Sequence, residues 1–345
     1  LFGFRKGKYE WLIINNISTT EWGKIQPSSP LYLYTLRDEE EFARYNQFPL
    51  ITEIFPINSS GIKTHRDNFV VSFEREDIIH RLWQFINPAF PDSFLREAFQ
   101  LNDTRDWKLS PNRKALSNEY DIESMVRSYS YRPFDDRYLI FSSNLIEFQR
   151  YNVMRNLLHE NLAILIGRQG QVVGNLNDWN LSFITNKISD VNMFYRGGAT
   201  VCPLYIYKDE SDLTLFDEQI EQKTPNISEK ILSRIRKDIG DFITPEEILY
   251  YVYAILYSPD YRRKYAEFLK ADFPRIPFTS DAEVFEGMAK LGERLKDLHL
   301  LQSKELEDSV VRFQGQGDNT IKYRRYDPEQ KRLYINENYY FENLE

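Results

Sequence analysis

Hydrophobic and polar positions follow two different periods along this chain, and the change of period divides it into parts. In the central part, β-branched and aromatic runs are separated by clusters of Gly, Asn and Asp, as is typical of strands joined by loops. The predicted strands are Tyr138–Phe141, Leu162–Ile166, Leu181–Thr185 and Val201–Tyr207, with a helix over Asn152–His159 between two of them. We therefore predict an α+β fold, with a mixed β-sheet core and flanking helices.

The first third of the chain predicts both helices and strands. Apolar positions at helical spacing follow Glu74 and continue to Ile86, which indicates a helix, and a second short helix is expected over Asp92–Leu101. The strand-like segments of this part are Trp11–Ile14, Leu31–Tyr34 and Asn68–Phe73.

The last third is dominated by helix signals. Thr244-Pro245-Glu246-Glu247 combines a capping residue, Pro in the first turn and Glu three positions after Thr, which predicts a helix to about Tyr257. Ser258-Pro259-Asp260 repeats the start signal for a second helix. A third helix begins near Ser280, and its predicted apolar stripe consists of Val284, Phe285, Met288, Leu291, Leu295 and Leu298. We expect the three helices to pack together.

These patterns predict five parts. They are an N-terminal α+β subdomain over residues 1–118, a β-rich core over 119–208, a linker over 209–228, a helical segment over 229–320 and a terminal β-hairpin over 321–345.

Composition narrows the class of protein. The chain has 345 residues, 42% of them hydrophobic, which is enough for several compact units. No window approaches the roughly 18 uninterrupted apolar residues of a membrane span, and the single Cys202 excludes an internal disulfide framework. We expect a soluble, cytoplasmic protein.

The net charge of −8 argues against general nucleic-acid binding. Its distribution matters more, because residues 1–130 carry −2, residues 131–200 carry +1 and residues 201–345 carry −7. An acidic chain can therefore present a nearly neutral central surface, which on its own should bind DNA weakly and with strong salt dependence.

A series of motifs in the centre of the chain has a familiar order. The motifs are Tyr131-Arg132-Pro133-Phe134-Asp135-Asp136-Arg137, Gly167-Arg168-Gln169, Ile188-Ser189-Asp190 and Pro203-Leu204-Tyr205-Ile206-Tyr207. This order resembles the C-terminal specificity region of type ISP and related type IIG single-chain restriction-modification enzymes. The upstream segment Ser60–Asp67 and the downstream segment Ile248–Pro277 extend the resemblance over nearly the whole chain.

The resemblance implies a target recognition domain that directs a DNA adenine methyltransferase. The parent enzyme would use S-adenosylmethionine, and Mg²⁺ if it also cleaves DNA, whereas this chain has neither the Gly-rich cofactor turn nor the Asn-Pro-Pro-Tyr type motif of the methyltransferase. We expect the chain itself to be non-catalytic and to hold no cofactor or metal. Leu1 in place of Met, and a Trp- and Gly-bearing segment missing after Tyr340-Phe341, lead us to expect a fragment whose partners are double-stranded DNA and the absent methyltransferase and nuclease domains.

Two sets of residues are candidates for DNA contact. Arg reads guanine, and Asn and Gln read adenine in the major groove, so the loop after Gly167 is the candidate base reader. Its candidate residues are Arg168, Gln169, Gln171, Asn175 and Asn177. The candidate phosphate contacts are Lys63, His65, Arg66, Arg132, Arg137, Arg150 and Arg155.

Other interpretations stay open from the sequence. The reading loop could be a solvated connection between strands, and each Arg could form an internal ion pair, with Asp135 or Asp136 holding Arg132 or Arg137. The acidic helical third could instead dock a protein partner without DNA contact. In a third interpretation, Asp135, Asp136, Glu147 and Asp190 could gather at a metal-dependent hydrolytic site.

Overall fold

The computed structural model of the chain describes residues 5–23, 25, 27, 38–167, 179–194, 198–208, 223–308 and 310–344. The α-helices of this part are α1 Arg5–Ile14, α2 Glu39–Tyr45, α3 Ile51–Ile54, α4 Asp67–Val70, α5 Arg75–Ile86, α6 Asp92–Phe99, α7 Leu109–Leu116, α8 Tyr151–Met154, α9 Glu229–Ile239, α10 Pro245–Tyr257, α11 Pro259–Lys264, α12 Ala266–Leu269 and α13 Ala282–His299. Short 3-10 helices occupy Glu123–Met125, Arg155–Leu158 and Lys304–Leu306.

The strands of the described part are β1 Ser59–Ser60, β2 Val71–Ser72, β3 Val126–Arg132, β4 Asp135–Ile140, β5 Ala163–Ile166, β6 Ser182–Thr185, β7 Ile188–Ser189, β8 Thr200–Pro203, β9 Tyr205–Tyr207, β10 Lys223–Pro225, β11 Arg312–Gln314, β12 Arg325–Asp327, β13 Arg332–Tyr334 and β14 Tyr340–Glu342. The predicted α+β class is confirmed. No helix among these residues is long and apolar enough to cross a membrane.

Two four-stranded sheets form the centre of the first of two compact units, Leu1–Glu293. One sheet has the order β2-β4-β3-β7, in which β3 and β7 are parallel and the other neighbours antiparallel. The other sheet has the order β1-β8-β5-β6 and is antiparallel throughout. A bridge between Ile62 and Asp190 links the residues that follow β1 and β7.

One continuous hydrophobic core lies between these elements. It includes Phe69 and Phe85 from the N-terminal helices, Leu139 from β4 and Val201 from β8. The four residues of β5 are all buried, as expected for a central strand without a solvent face. Since both sides of residue 118 contribute to this core, the predicted boundary there does not coincide with a break in packing. The five-part division stays a prediction.

One of the predicted N-terminal strands is wrong, a second is only partly confirmed, and a third lies outside the described residues. Trp11–Ile14 lies in α1, and Asn68–Phe73 contains most of α4 and then the two-residue β2. A run of a few apolar residues can occur in a helix or in a strand, so its periodicity cannot separate the two. Leu31–Tyr34 is the segment outside the described part of the chain.

The predicted helix starts near the C-terminus are confirmed. The Thr244 hydroxyl accepts the Glu247 N–H at 3.2 Å, and the Glu247 carboxylate accepts the Thr244 N–H at 2.8 Å, which caps α10 as predicted. Tyr261, Tyr265, Phe268 and Leu269 are all buried on one face of the following helices.

The buried face of α13 differs from the predicted stripe. Phe285, Ala289 and Gly292 are buried, whereas Val284 and Leu291 are half exposed. The Phe285 ring stacks on Tyr251 of α10 with centroids 4.7 Å apart. The small residues Ala289 and Gly292 then allow the backbones of α13 and α10 to approach closely. Side-chain size, and not hydrophobicity, therefore determines which face of α13 is buried.

The second compact unit, Arg294–Glu345, contains a four-stranded antiparallel sheet with the order β11-β14-β13-β12. The predicted hairpin is β12 and β13, with Arg325 opposite Tyr334 and Asp327 opposite Arg332. This hairpin is part of the larger sheet, because β13 also pairs with β14.

Gly292→Ala should destabilise the first unit, and Gly287→Ala on the same helix should not. A Cβ at Gly292 would lie 1.8 Å from the Tyr250 carbonyl oxygen, so the α10–α13 contact would have to open. We expect a loss of about 1–3 kcal/mol, the usual cost of overpacking. A Cβ at Gly287 meets nothing within 4 Å, so higher helix propensity should leave stability equal or raise it by up to about 1 kcal/mol. Urea denaturation of both variants checks this, and equal midpoints would contradict the close helix contact.

Candidate nucleic-acid interface

The loop that follows β1 is held by backbone hydrogen bonds to the residue before β8 and to β7, and so to both central sheets. The Gly61 N–H donates to the Ala199 carbonyl at 2.9 Å, and the Ile62 N–H donates to the Ser189 carbonyl at 2.8 Å. A Cβ at Gly61 would lie 2.5 Å from the Asp190 carbonyl oxygen. Glycine is therefore required where the two backbones meet, and the loop leaves this point in a fixed direction.

Side chains in this loop alternate between outside and inside. Lys63 and His65 are exposed, and Thr64 and Arg66 are buried. Lys63 pairs with Phe148 through two backbone hydrogen bonds of 3.1 and 3.0 Å. His65 has a positive φ of 58° and places its Nδ1 2.5 Å from the Glu147 carboxylate. Lys63 is thus available to a ligand at the surface, and His65 is already engaged by a carboxylate.

Arg66 lies inside the protein, which does not fit its predicted role as a phosphate contact. Its Nη1 donates to the carbonyls of Thr64 and Leu145, each at 3.1 Å, and its guanidinium lies 4.1 Å from the centre of the Trp107 ring. Burial lowers the pKa of this guanidinium from its ordinary value. We therefore assign Arg66 to holding the loop in place, because only 7% of its surface is exposed.

Lys63, Phe148, Arg150 and Tyr151 form an exposed surface that we call the basic patch. Arg150 has a φ of 54°, and its Nε donates to the Ser60 hydroxyl at 2.9 Å. The Lys63 ammonium and the Arg150 guanidinium lie 5.7 and 5.1 Å from the Phe148 ring centre. Phe148 and Tyr151 were not predicted, although their position on either side of Arg150 was the available signal. Arg155 lies nearby in sequence, half-buried at the start of a 3-10 helix.

Arg132 and Arg137 are both engaged by carboxylates. The Arg132 Nη1 donates to Asp190 at 2.9 Å, and Arg137 donates twice to Asp135, at 2.9 and 2.8 Å. Their guanidinium groups lie 3.9 and 4.0 Å from the Tyr131 ring centre. Of the ion pairs that the sequence left open for Asp135 and Asp136, the structure contains Asp135–Arg137, and this pair raises the pKa of the Arg137 guanidinium.

Asp190 connects the sheets and the loop. It is 3% exposed and accepts hydrogen bonds from the Tyr129 hydroxyl at 2.5 Å, the Arg132 guanidinium at 2.9 Å and the Asn192 N–H at 2.6 Å. Burial raises the pKa of its carboxyl, although these donors act in the opposite direction. The neighbouring Tyr131 hydroxyl donates to Asp67 at 2.9 Å, so the polar network reaches the end of the loop.

The candidate base readers Arg168, Gln169, Gln171, Asn175 and Asn177 lie outside the described residues. Both ends of their segment are described, since β5 leads into it and β6 follows it. The Gly167 N–H donates to the Leu181 carbonyl at 2.8 Å, and we call this paired base of the segment the stem. Ile166 pairs with Thr200, and Thr200 pairs with Ser60. Neighbouring strands are about 4.8 Å apart, so the backbone of Ile166 lies about 10 Å from that of Ser60, the residue whose hydroxyl binds Arg150.

The four carboxylates of the hydrolytic interpretation do not gather. Asp135 binds Arg137, Asp136 binds Lys187 at 2.6 Å, Glu147 binds His65 and Asp190 binds Arg132. Within the described ranges, no three His, Cys, Asp or Glu side chains are arranged to hold a metal ion. Burial of Cys202 in β8 raises its thiol pKa to about 12, which argues against a reactive thiol.

Comparison with known proteins agrees with these features. The family described as Type ISP C-terminal specificity domain matches residues 53–345, so the chain belongs to this family. A search of the curated proteins found no match.

Several solved structures share the fold. The DrdV–DNA complex aligns over 98% of this chain and 35% of its own, with a TM-score of 0.67 and 20% identity. A nuclease-deletion mutant of the Type ISP restriction-modification enzyme LlaGI, in complex with a DNA substrate mimic, aligns over 95% of this chain and 30% of its own, with a TM-score of 0.61 and 22% identity. The ATP-dependent Type ISP enzyme LlaBIII, bound to DNA, aligns over 87% and 20%, with a TM-score of 0.62 and 20% identity. The chain thus spans about a third or less of the length of these proteins.

Arg66→Ala should destabilise the protein, whereas Lys63→Ala should not. Removing the Arg66 guanidinium leaves two carbonyls without their donor and the Trp107 ring without its contact, so we expect a loss of about 2–4 kcal/mol. Lys63 is exposed, and its removal should change the free energy of unfolding by less than about 0.5 kcal/mol. Urea denaturation measures both, and an Arg66→Ala variant as stable as the wild type would refute the structural assignment of Arg66.

Proposed function

We propose that this chain recognises a short, asymmetric sequence in duplex DNA and thereby directs adenine methylation by a methyltransferase domain. The observation that carries the proposal is that Arg150 of the basic patch binds Ser60, whose backbone is two strands, about 10 Å, from the start of a segment rich in Arg, Gln and Asn. Membership of the specificity-domain family supports it. The DNA named in the titles of the similar structures makes duplex DNA the natural ligand to test.

The two groups of side chains would have different tasks. Lys63 and Arg150 of the basic patch would bind phosphates, with His65 and Arg155 beside them, and so set the orientation of the protein on the duplex. Arg168 would read guanine O6 and N7. Gln169, Gln171, Asn175 and Asn177 would reach adenine N6 and N7 in the major groove. Phosphate contacts supply affinity and base contacts supply discrimination, so the two can be separated by mutation.

Arg132 and Arg137 have a more limited part in this proposal. Each is held by a carboxylate and by the Tyr131 ring, so each would orient a phosphate only through the donors that remain. The net charge of the chain also limits its affinity for DNA. The chain is acidic overall, so the absent domains of a parent enzyme would supply much of the affinity for DNA.

The chemistry would take place outside this chain. The parent enzyme would bind S-adenosylmethionine in its methyltransferase domain and, if it cleaves DNA, Mg²⁺ in its nuclease domain. The chain would act by positioning, because a methyltransferase reaches its target only after the base leaves the stack.

Selection from a randomised duplex library at low salt tests sequence recognition. We expect the purified chain to enrich one short asymmetric motif, and the double variant Arg168→Ala/Gln171→Ala to lose that enrichment because the base-edge donors are removed. Sequencing of the retained DNA measures both. Retention without any enriched motif would contradict base reading, and no retention would favour the alternative of an acidic, protein-docking module.

The double variant Lys63→Ala/Arg150→Ala should weaken binding equally for selected and unrelated duplexes. Each lost phosphate contact should reduce the slope of log K against log salt by about 1, so we expect a decrease of about 2 for the pair. Titrations at several salt concentrations provide the slopes. Lys270→Ala/Lys290→Ala, which removes two cations from exposed helical ion pairs, is the matched control and should leave the slope unchanged. An unchanged slope in the patch variant would remove the patch from the interface.

A further inference from the structure

The tip of the β3–β4 hairpin presents an aromatic side chain in an unfavourable backbone conformation. Phe134 has a φ of 61° and is 58% exposed. Bulky L-residues rarely adopt positive φ, and glycine would occupy the position without strain. Such strained backbone persists only where the surrounding structure holds it, and it is concentrated at functional sites.

The residues around the tip hold it rigidly. Arg137 donates twice to Asp135, directly after Phe134. The next residue, Asp136, accepts from the Lys187 ammonium at 2.6 Å and from the Ser130 hydroxyl at 3.1 Å. On the other strand, Arg132 is bound to the buried Asp190. The Phe134 ring is therefore presented by a fixed hairpin and would lose little conformational freedom on binding a ligand.

The tip lies beside the stem of the candidate reading segment. The Phe134 ring meets Phe183 of β6 edge-on, with centroids 5.2 Å apart. Phe183 is opposite Leu165 of β5, and two residues before it Leu181 closes the stem with Gly167. Two residues of a strand span about 7 Å. Phe134 and the basic patch thus flank this stem, because β6 and β1 are the two edge strands of the same sheet.

The charges at the tip favour contact with bases rather than phosphates. Three cations, Arg132, Arg137 and Lys187, are matched by the three carboxylates Asp190, Asp135 and Asp136. A ring that enters a base stack needs no excess positive charge. A protein interface would instead need an apolar core of several residues, whereas the strand residues close to this tip, Arg132, Asp135 and Asp136, are charged.

We propose that Phe134 inserts its ring into the base stack of the bound duplex, at or next to the recognised sequence. Apolar side chains that enter a base step unstack it and kink the duplex, and a flipped target base leaves a gap that a ring can occupy. The inference rests on the proposed function, since it requires that the chain binds DNA. The strained backbone and fixed hairpin serve to aim this ring.

Duplexes that carry the selected sequence, with 2-aminopurine placed at each position in turn, test this insertion. 2-Aminopurine fluoresces more strongly when it is unstacked, so the wild-type chain should raise the emission several-fold at one step. Phe134→Ala and Phe134→Gly should abolish this rise. Phe134→Tyr should retain it, because the tyrosine ring can stack in the same way and an exposed position has room for the added hydroxyl group. Phe134→Gly also relieves the positive φ, which offsets the lost contact with Phe183, so its urea midpoint should stay close to that of the wild type.

Phe242→Ala is the matched control, since Phe242 is 99% exposed in the connection before α10, and it should behave as the wild type. Selective binding with the same fluorescence rise in Phe134→Ala, or with no rise at any position in the wild type, overturns the insertion and leaves the recognition proposal intact. If the wild-type chain selects no sequence, the recognition proposal fails first, and this inference fails with it.

Discussion

The buried Asp190 carboxylate is the interaction on which the candidate interface depends. It accepts hydrogen bonds from Tyr129 within β3, from Arg132 at the end of β3 and from the backbone that follows β7. The same residue forms the backbone bridge to Ile62, from which the loop bearing Lys63 begins. Burying a carboxylate is costly unless donors surround it, and removing one partner of a buried pair is strongly destabilising. Asp190 therefore fixes the β3–β4 hairpin and the loop after β1 in one arrangement. This arrangement determines the positions of the surface residues that we assign to DNA binding.

A second constraint is the close approach of backbones, which decides where side chains can and cannot be. Gly61 lies against Asp190 and Gly292 lies against Tyr250, in each case too close for a Cβ. After Gly61 the burial of successive side chains alternates, so Lys63 and His65 are exposed and Arg66 is buried in the core. Neighbouring basic residues of one motif thus have opposite roles, one for ligand and one for packing. Arg150 and Arg137 also differ in their roles. The Arg150 guanidinium lies on the surface, whereas the Arg137 guanidinium makes two hydrogen bonds to the Asp135 carboxylate.

Much of the fold and part of the site followed from local patterns. The helix starts at Thr244 and Ser258 depend on capping groups within three or four residues, and such local geometry is written directly in the sequence. The Asp135–Arg137 pair is equally local. Trp11–Ile14 was assigned the wrong element, and Asn68–Phe73 is a strand only at Val71–Ser72, because runs of four to six residues carry too little periodicity to choose between helix and strand. The buried face of α13 was wrong for another reason, since proximity of α10 favoured Ala289 and Gly292 over larger apolar neighbours.

By itself, the sequence determined the α+β class, the order of the main strands and helices, and membership of the specificity-domain family, because these depend on periodicity, caps and motif order along the chain. Only the tertiary structure decided which cations reach the surface. In the folded chain, Arg66 is buried against Trp107, and Arg150 binds Ser60 of a strand that is distant in sequence. The β3–β4 hairpin places Phe134 in contact with Phe183. Such choices depend on burial and on contacts between residues far apart in the chain. No local pattern encodes them, since the same Arg or Phe is compatible with core and surface until its neighbours in space are known.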